Sequence, residues 1–177
     1  IVRGVMVTLL VTLSLLHLVE AQDMASSKDG IQVEVSPSQV TRFVVAIPSA
    51  LNLGTALDTI GLAEQLGGTL EQSLKISGYF DLLERELYPA DPSSEGMSPK
   101  FVNWFNSGTQ GLIKSSFAIE GDKVRVTLKL FDIDEKKVVP LTGDVDQTTS
   151  LPPDPKAIRT HVHRFVNQVI KFYTGSE

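Results

Sequence analysis

His161 and His163 are the histidines that this chain carries outside its first twenty-one residues, and they are the natural place to look for metal chemistry. They stand two apart in a stretch of helical period. That sets them about 200° apart around a helix axis, so they cannot share one ion. One is expected at the edge of the core and the other in solvent. Asp132-Ile133-Asp134-Glu135 offers oxygen ligands. A calcium loop, however, spreads its ligands over about twelve residues with a central glycine and a final glutamate. Here Lys136-Lys137 follows at once, and the run reads as a solvated, charge-paired hairpin turn. Ser115-Ser116 has no G-x-S-x-G frame for a nucleophile elbow. Leu53-Gly54-Thr55 and Gly67-Gly68-Thr69 lack the spacing and the lysine of a phosphate loop. No carboxylate pair is placed by its spacing for acid–base work. With 0 cysteines, thiol chemistry and Cys metal sites are excluded. Trp104, flanked by Phe101 and Phe105, falls at helical spacing, which reads as core rather than as an exposed aromatic site. Nothing here describes an enzyme, and neither a metal nor a cofactor is expected.

The element that must position everything else is Thr41–Ser49, whose apolar run Phe43–Ile47 is short, β-branched and closed by Pro48. Such a run reads as a strand buried on both faces, and Pro48 takes the chain out of the sheet. Before it, Ile31–Ser36 alternates apolar and polar residues, the pattern of a half-exposed strand at a sheet edge. After it, Leu57, Ile60, Ala63, Leu66, Leu70 and Leu74 form one helical stripe. Asn52 or Thr55 is the expected cap of that helix, and Gly78 its left-handed stop. Gly67-Gly68 inside it should cost about 1 kcal/mol per glycine relative to alanine. Tyr79–Glu84 reads as a second core strand. Tyr88–Ser98 is a loop, and Pro99–Asn106 a short helix with Phe101, Trp104 and Phe105 inward, ended by Gly108. Gly111–Glu120, Lys123–Asp132 and Val138–Asp146 then read as an antiparallel meander. Leu151–Pro155 breaks it. The last helix carries its stripe on Ile158, Val162, Phe165, Val166, Val169 and Ile170, and Gly175 stops it.

These elements amount to an α/β (α+β) fold: a mixed five- to six-stranded sheet with two main helices packed on it. Residues 1–21 are set apart. Arg3, the apolar stretch Val5–Val19 and the small residues before Ala21 make a signal peptide, with cleavage expected after Ala21. The stretch is shorter than the roughly 20 residues that span a bilayer, so no stable membrane insertion is expected once it is removed. Gln22–Gly30 is polar and small, and is expected to be a mobile amino-terminal arm. The net charge of -5 argues against nucleic acid or anionic lipid as the main partner.

Several stretches together resemble the TolB amino-terminal domain family. They are IQVEVS followed by FVVAIPS, then SGYFDLLER, the Trp104–Gly108 step with Leu112-Ile113, VRVTLKLFDIDEKKVV, and IRTHVHRFVNQVIKFYTG. They occur in the family's order over Ile31–Gly175. The resemblance implies a periplasmic, non-enzymatic interaction domain of the Tol–Pal system, which supports outer-membrane integrity and cell division. It implies contact with the periplasmic domain of TolA through the amino-terminal segment, on Ile31, Gln32, Val33, Glu34 and Val35. The family's domain is followed by a β-propeller that carries its site for the lipoprotein Pal. This sequence stops at Glu177, so that propeller, and Pal binding with it, are expected to be absent. The alternative from the residues alone is a small exported ligand-binding or hydrolytic α/β domain.

Overall fold

The computed structural model describes residues 42–141 and 147–175. The expected signal peptide, the arm, the strand Ile31–Ser36 and residues 142–146 of the third meander strand lie outside the described residues. Along the chain come β1 (Phe43–Ala46), β2 (Leu51–Asn52), α1 (Leu62–Ser77), β3 (Phe80–Leu82), a 3-10 turn (Arg85–Leu87), α2 (Phe101–Asn106), β4 (Gly111–Glu120), β5 (Lys123–Asp132), β6 (Lys137–Val138), β7 (Thr148–Leu151) and α3 (Pro155–Thr174). The described strands form one mixed sheet in the order β3-β1-β4-β5-β6, with β2 beside β4 and β7 beside β5. This is the expected α+β class, with more and shorter strands than the sequence pattern separates.

β1 is parallel to β3 on one side and to β4 on the other, which is why Val45 and Ala46 are both fully buried. Val45 meets Gly111 and Ala46 meets Leu112, whereas Leu51 of β2 meets Ser116. The register slips by one residue across Ile47–Ala50. Pro48 sits in that bulge, where its missing N–H breaks no ladder bond.

β4 and β5 pair over their whole length, from Gly111↔Asp132 to Glu120↔Lys123. Opposed residues share a face and successive residues alternate between faces. Ile113, Phe117, Val124, Val126, Leu128 and Leu130 therefore make one apolar face. α1 lays Leu62, Leu66, Leu70 and Leu74 on it, and α3 lays Ile158, Val162, Phe165, Val166 and Val169 beside them. Each such side chain stabilises the fold by about 1.5–3 kcal/mol relative to exposure. The opposite face gathers Ala46, Leu112, Phe131 and Ile133 around Trp104.

Three expectations need correction. The α1 stripe does not begin at Leu57: Leu57 is 82% exposed and Ile60 55% exposed. Gly61 turns left-handed at φ 71, so the helix can begin only at Leu62. Its N-cap position is Gly61, and the first-turn donors are met by Asp58 three residues upstream, whose carboxylate accepts the N–H of Leu62 (2.8 Å) and of Ala63 (2.9 Å). Desolvation works against that charge, but the backbone donors outweigh it and hold the Asp58 carboxyl below its ordinary range. Asn52 is occupied elsewhere, accepting the Gly54 N–H at 2.9 Å. In α2, Trp104 is buried but Phe105 is 57% exposed. A helix of six residues presents one inward line, and the next residue points about 100° away from it. Of the third meander strand, Val138–Asp146, only Val138 lies in a strand among the described residues. β6 pairs with Phe131 and Asp132, while β7 covers Val124–Thr127, because Pro140 cannot continue β6 as a donor.

The end of α3 closes the sheet. Tyr173 stacks on Phe43 with ring centroids 4.5 Å apart and meets Phe80 edge-on at 5.5 Å. Its hydroxyl lies where a β-carbon on Gly111 would stand, so any larger residue at the start of β4 would have to displace the Tyr173 ring. Burial first, then the nearby carboxylates of Asp132 and Asp134, push the Tyr173 phenol well above its ordinary range. On the other face the Trp104 side chain is fully buried. Trp104→Ala is therefore expected to destabilise the protein by about 3–5 kcal/mol in chemical denaturation; a loss under about 1 kcal/mol would contradict its place in the core.

Candidate functional site

The residues assigned to partner binding from the sequence, Ile31, Gln32, Val33, Glu34 and Val35, lie outside the described residues. The described chain enters the sheet at Arg42, whose guanidinium bonds Asp81 of β3 at 3.2 Å. Phe43 N–H donates to the Tyr79 carbonyl at 3.0 Å. Among the described residues β3 pairs only with β1, and β7 only with β5. Each therefore presents one row of backbone donors and acceptors without a strand partner there, the feature that strand addition uses.

The residues considered for catalysis are dispersed. His161 is buried on α3. His163 is exposed, and its Nδ1 lies 3.1 Å from the Ser73 hydroxyl of α1. Ser73 itself donates to the Thr69 carbonyl at 2.6 Å, so its proton serves the helix backbone. Asp132 accepts the Glu135 N–H at 2.9 Å in a tight turn where Lys136 takes φ 53. Lys137 pairs with Glu135 at 3.6 Å. Ser115 and Ser116 are buried and point to opposite faces of β4. Among the described residues, no group of three His, Cys, Asp or Glu could hold a metal ion.

One cluster is absent from any reading of the sequence. Lys114, in the middle of β4, is only 2% exposed. Its ammonium donates to the Gly96 carbonyl at 2.7 Å, the Pro92 carbonyl at 3.3 Å and Glu95 Oε2 at 3.3 Å. The same Glu95 oxygen accepts the Trp104 indole N–H at 2.8 Å. Burial pushes the Lys114 ammonium below its ordinary pKa, against the pull of Glu95. The loop around Pro92–Gly96 is thereby fastened over the second face of the sheet. Tyr88 fastens its near end: the hydroxyl accepts the Ile47 N–H at 3.0 Å, and the ring meets Trp104 edge-on at 5.4 Å. The available signal was a lone lysine inside the apolar strand GLIKSSFAI. Its partner, in a polar loop nineteen residues earlier, looks no different from a solvated glutamate.

The described residues line several cavities, among them one of about 430 Å³ between Ile47–Ser49 and α1. Another of about 390 Å³ lies beside β3 and is lined by Arg42, Glu71, Asp81, Arg85 and Tyr88. The Glu71 hydrogen bond and charge hold the Arg85 guanidinium above its ordinary pKa. A third of about 410 Å³ lies between β7 and the first half of α3. The last two linings mix charges of the two signs, and neither brings a nucleophile to a base. Among the described residues no helix is long and apolar enough to cross a membrane.

Comparison with known proteins gives a consistent result. A family model described as the TolB amino-terminal domain matches residues 31–139. The Tol-Pal system protein TolB of Syntrophotalea carbinolica is 30% identical over 150 residues, which are 82% of this chain and 33% of that protein. The protein of the same name from Geobacter sulfurreducens is 23% identical over 172 residues, 96% of this chain and 37% of that one. This chain thus spans about a third of the length of the curated relatives it matches. The crystal structure of TolB from Acinetobacter baumannii matches with a TM-score of 0.50 at 17% identity, over 76% of this chain and 29% of that one. The hypothetical protein CT253 from Chlamydia trachomatis matches with a TM-score of 0.55 at 13% identity, over 76% of this chain and 100% of that one. At such identities the structural likeness concerns the fold.

The buried pair can be tested on its own. Glu95→Leu leaves the Lys114 ammonium without its carboxylate and should cost about 3–5 kcal/mol in urea unfolding. Lys114→Met combined with Glu95→Gln removes both charges and keeps an acceptor for the Trp104 N–H, and should recover most of that loss. A single variant as stable as the parent would mean that the pair does not hold the loop.

Proposed function

This chain belongs to the TolB amino-terminal domain family, and we propose that it is a non-enzymatic, periplasmic interaction domain of the Tol–Pal envelope system whose partner is the periplasmic domain of TolA. The observation that carries this reading is the family match over residues 31–139. It begins at Ile31, the residue at which the alternating pattern of Ile31–Ser36 also begins. The relatives at 30% and 23% identity bear the name of Tol-Pal system proteins. In this reading the chain is exported, loses residues 1–21, and supports outer-membrane integrity and cell division as one part of a longer assembly.

The proposed contact is made by the amino-terminal segment, with Ile31, Gln32, Val33, Glu34 and Val35 as the binding residues. An alternating segment suits that role. Its backbone can pair with a partner's strand, and every second side chain supplies specificity. Each residue of the arm that orders on binding loses about 1–2 kcal/mol of backbone entropy, so affinity should be moderate and open to regulation. The dispersed Ser, His and Asp residues of the described domain suit a partner-binding role better than a catalytic one.

Two variants test the contact: deletion of Gln22–Gly30, and Val33→Pro, which removes one backbone donor. Calorimetry against the TolA periplasmic domain should give binding by the parent and at least a tenfold weaker interaction for Val33→Pro. If both variants stay folded and bind as the parent does, the contact is not on this segment.

A further inference from the structure

Helix α3 differs in charge from the rest of the molecule. The chain has a net charge of -5, yet Pro155–Thr174 contains Lys156, Arg159, Arg164 and Lys171 and not one Asp or Glu. Lys156, Arg159 and Arg164 are exposed. Among the described residues, the ion pairs are formed by Arg42, Arg85, Lys114, Arg125 and Lys137, and none of those three α3 cations takes part. An apolar stripe explains how α3 packs. It does not explain a solvent face of one sign on an acidic protein.

β7 runs beside the amino-terminal half of this helix. Thr149 lies opposite Val126 and Leu151 opposite Val124, so both face the helices. Between them and α3 lies the cavity of about 410 Å³, with Lys156, Thr160 and Arg164 on its helical wall. Asp154 also lines it, but its carboxylate accepts the Ala157 N–H at 2.9 Å and caps α3, where the helix amino terminus answers its charge. The other edge of β7 has no strand partner among the described residues. Natural edge strands are commonly blunted by charged side chains or proline within them. Thr-Thr-Ser-Leu has neither. The edge of β3, in contrast, carries Asp81 in a salt bridge with Arg42.

We propose that the open edge of β7 and the cationic cavity beside it bind an extended acidic peptide segment of another protein by strand addition. A strand laid along β7 directs every second side chain over the cavity, because side chains alternate with period two. Glutamate or aspartate at those positions meets Lys156 and Arg164, while the peptide backbone pairs with the row of β7 that has no strand partner among the described residues. A lipid surface fits less well. It calls for apolar side chains among the cations, and the exposed large apolar residue of α3 is Phe172, at the far end of the helix. This site is separate in sequence from Ile31–Val35, and it stands or falls independently of the TolA contact.

The test uses the whole chain and a fluorescein-labelled decapeptide of alternating valine and glutamate, followed by fluorescence anisotropy at low salt. The parent should bind it, and Lys156→Glu combined with Arg164→Glu should weaken binding at least tenfold. A proline probe built of Glu-Pro-Pro repeats with the same number of glutamates keeps the charge but leaves no run of N–H groups along either strand edge, and should bind at least tenfold more weakly to the unaltered chain. A valine–lysine probe should not bind. The proposal is overturned if the parent does not bind the acidic probe, or if the charge-reversed variant binds it equally well. Equal binding of the proline probe would reduce the site to charge alone and overturn strand addition. Binding of phosphatidylglycerol vesicles without binding of the peptide would make α3 a membrane-facing surface and overturn it as well.

Discussion

The Lys114 ammonium is the constraint under which the second face of the sheet is built. Taking such a group out of water costs several kcal/mol unless hydrogen bonds and an opposite charge replace its hydration. β4 and β5 do not supply them: the residue opposite Lys114 is Lys129, a second cation, and no carboxylate lies beside it on that face. The loop around Pro92–Gly96 supplies them instead, with two carbonyls and the Glu95 carboxylate. Since the same Glu95 oxygen holds the Trp104 indole, one carboxylate ties β4, the loop and α2 together. A long polar loop is thus held in place on the face opposite the two long helices. The domain does this with no cysteine, and hence no disulfide, to hold the loop.

The two faces of the sheet are closed by different physics. The first is dry: leucines four residues apart on α1 and the apolar stripe of α3 lie on the alternate residues of β4 and β5. The second combines a small aromatic and aliphatic cluster with the buried charge pair. The difference explains what could be read in the sequence. Period two gave β4 and β5 their observed bounds, Gly111–Glu120 and Lys123–Asp132. The stripe of α3 and its glycine stop were equally legible, because both are local. Leu57 and Ile60 misled because they continue the three- and four-residue spacing of α1, while Gly61 reverses the chain after them. Phe105 misled because spacing cannot count how many inward positions a single short helix has. The clasp of Lys114 by Glu95 was illegible for a different reason: it is a contact between a strand and a loop, and no local pattern records which loop folds back.

The family resemblance rested on motifs spread over the sheet and the last helix, and the family match over residues 31–139 supports it. Among the described residues the sheet ends in short strands on both sides, β3 and the pair β6 and β7. The helix-covered face and the clasped face leave those ends as the places where backbone groups face outward.

The interaction-domain reading is tested most directly by amide NMR of the chain from Gln22, labelled with nitrogen-15 and titrated with the TolA periplasmic domain. Contact through the amino-terminal segment predicts that the largest resonance changes fall on Ile31–Val35, with those amides gaining protection from exchange, while the amides of β4 stay where they were. Largest changes at α3 or at the Lys114 clasp, or none at saturating TolA, would contradict it.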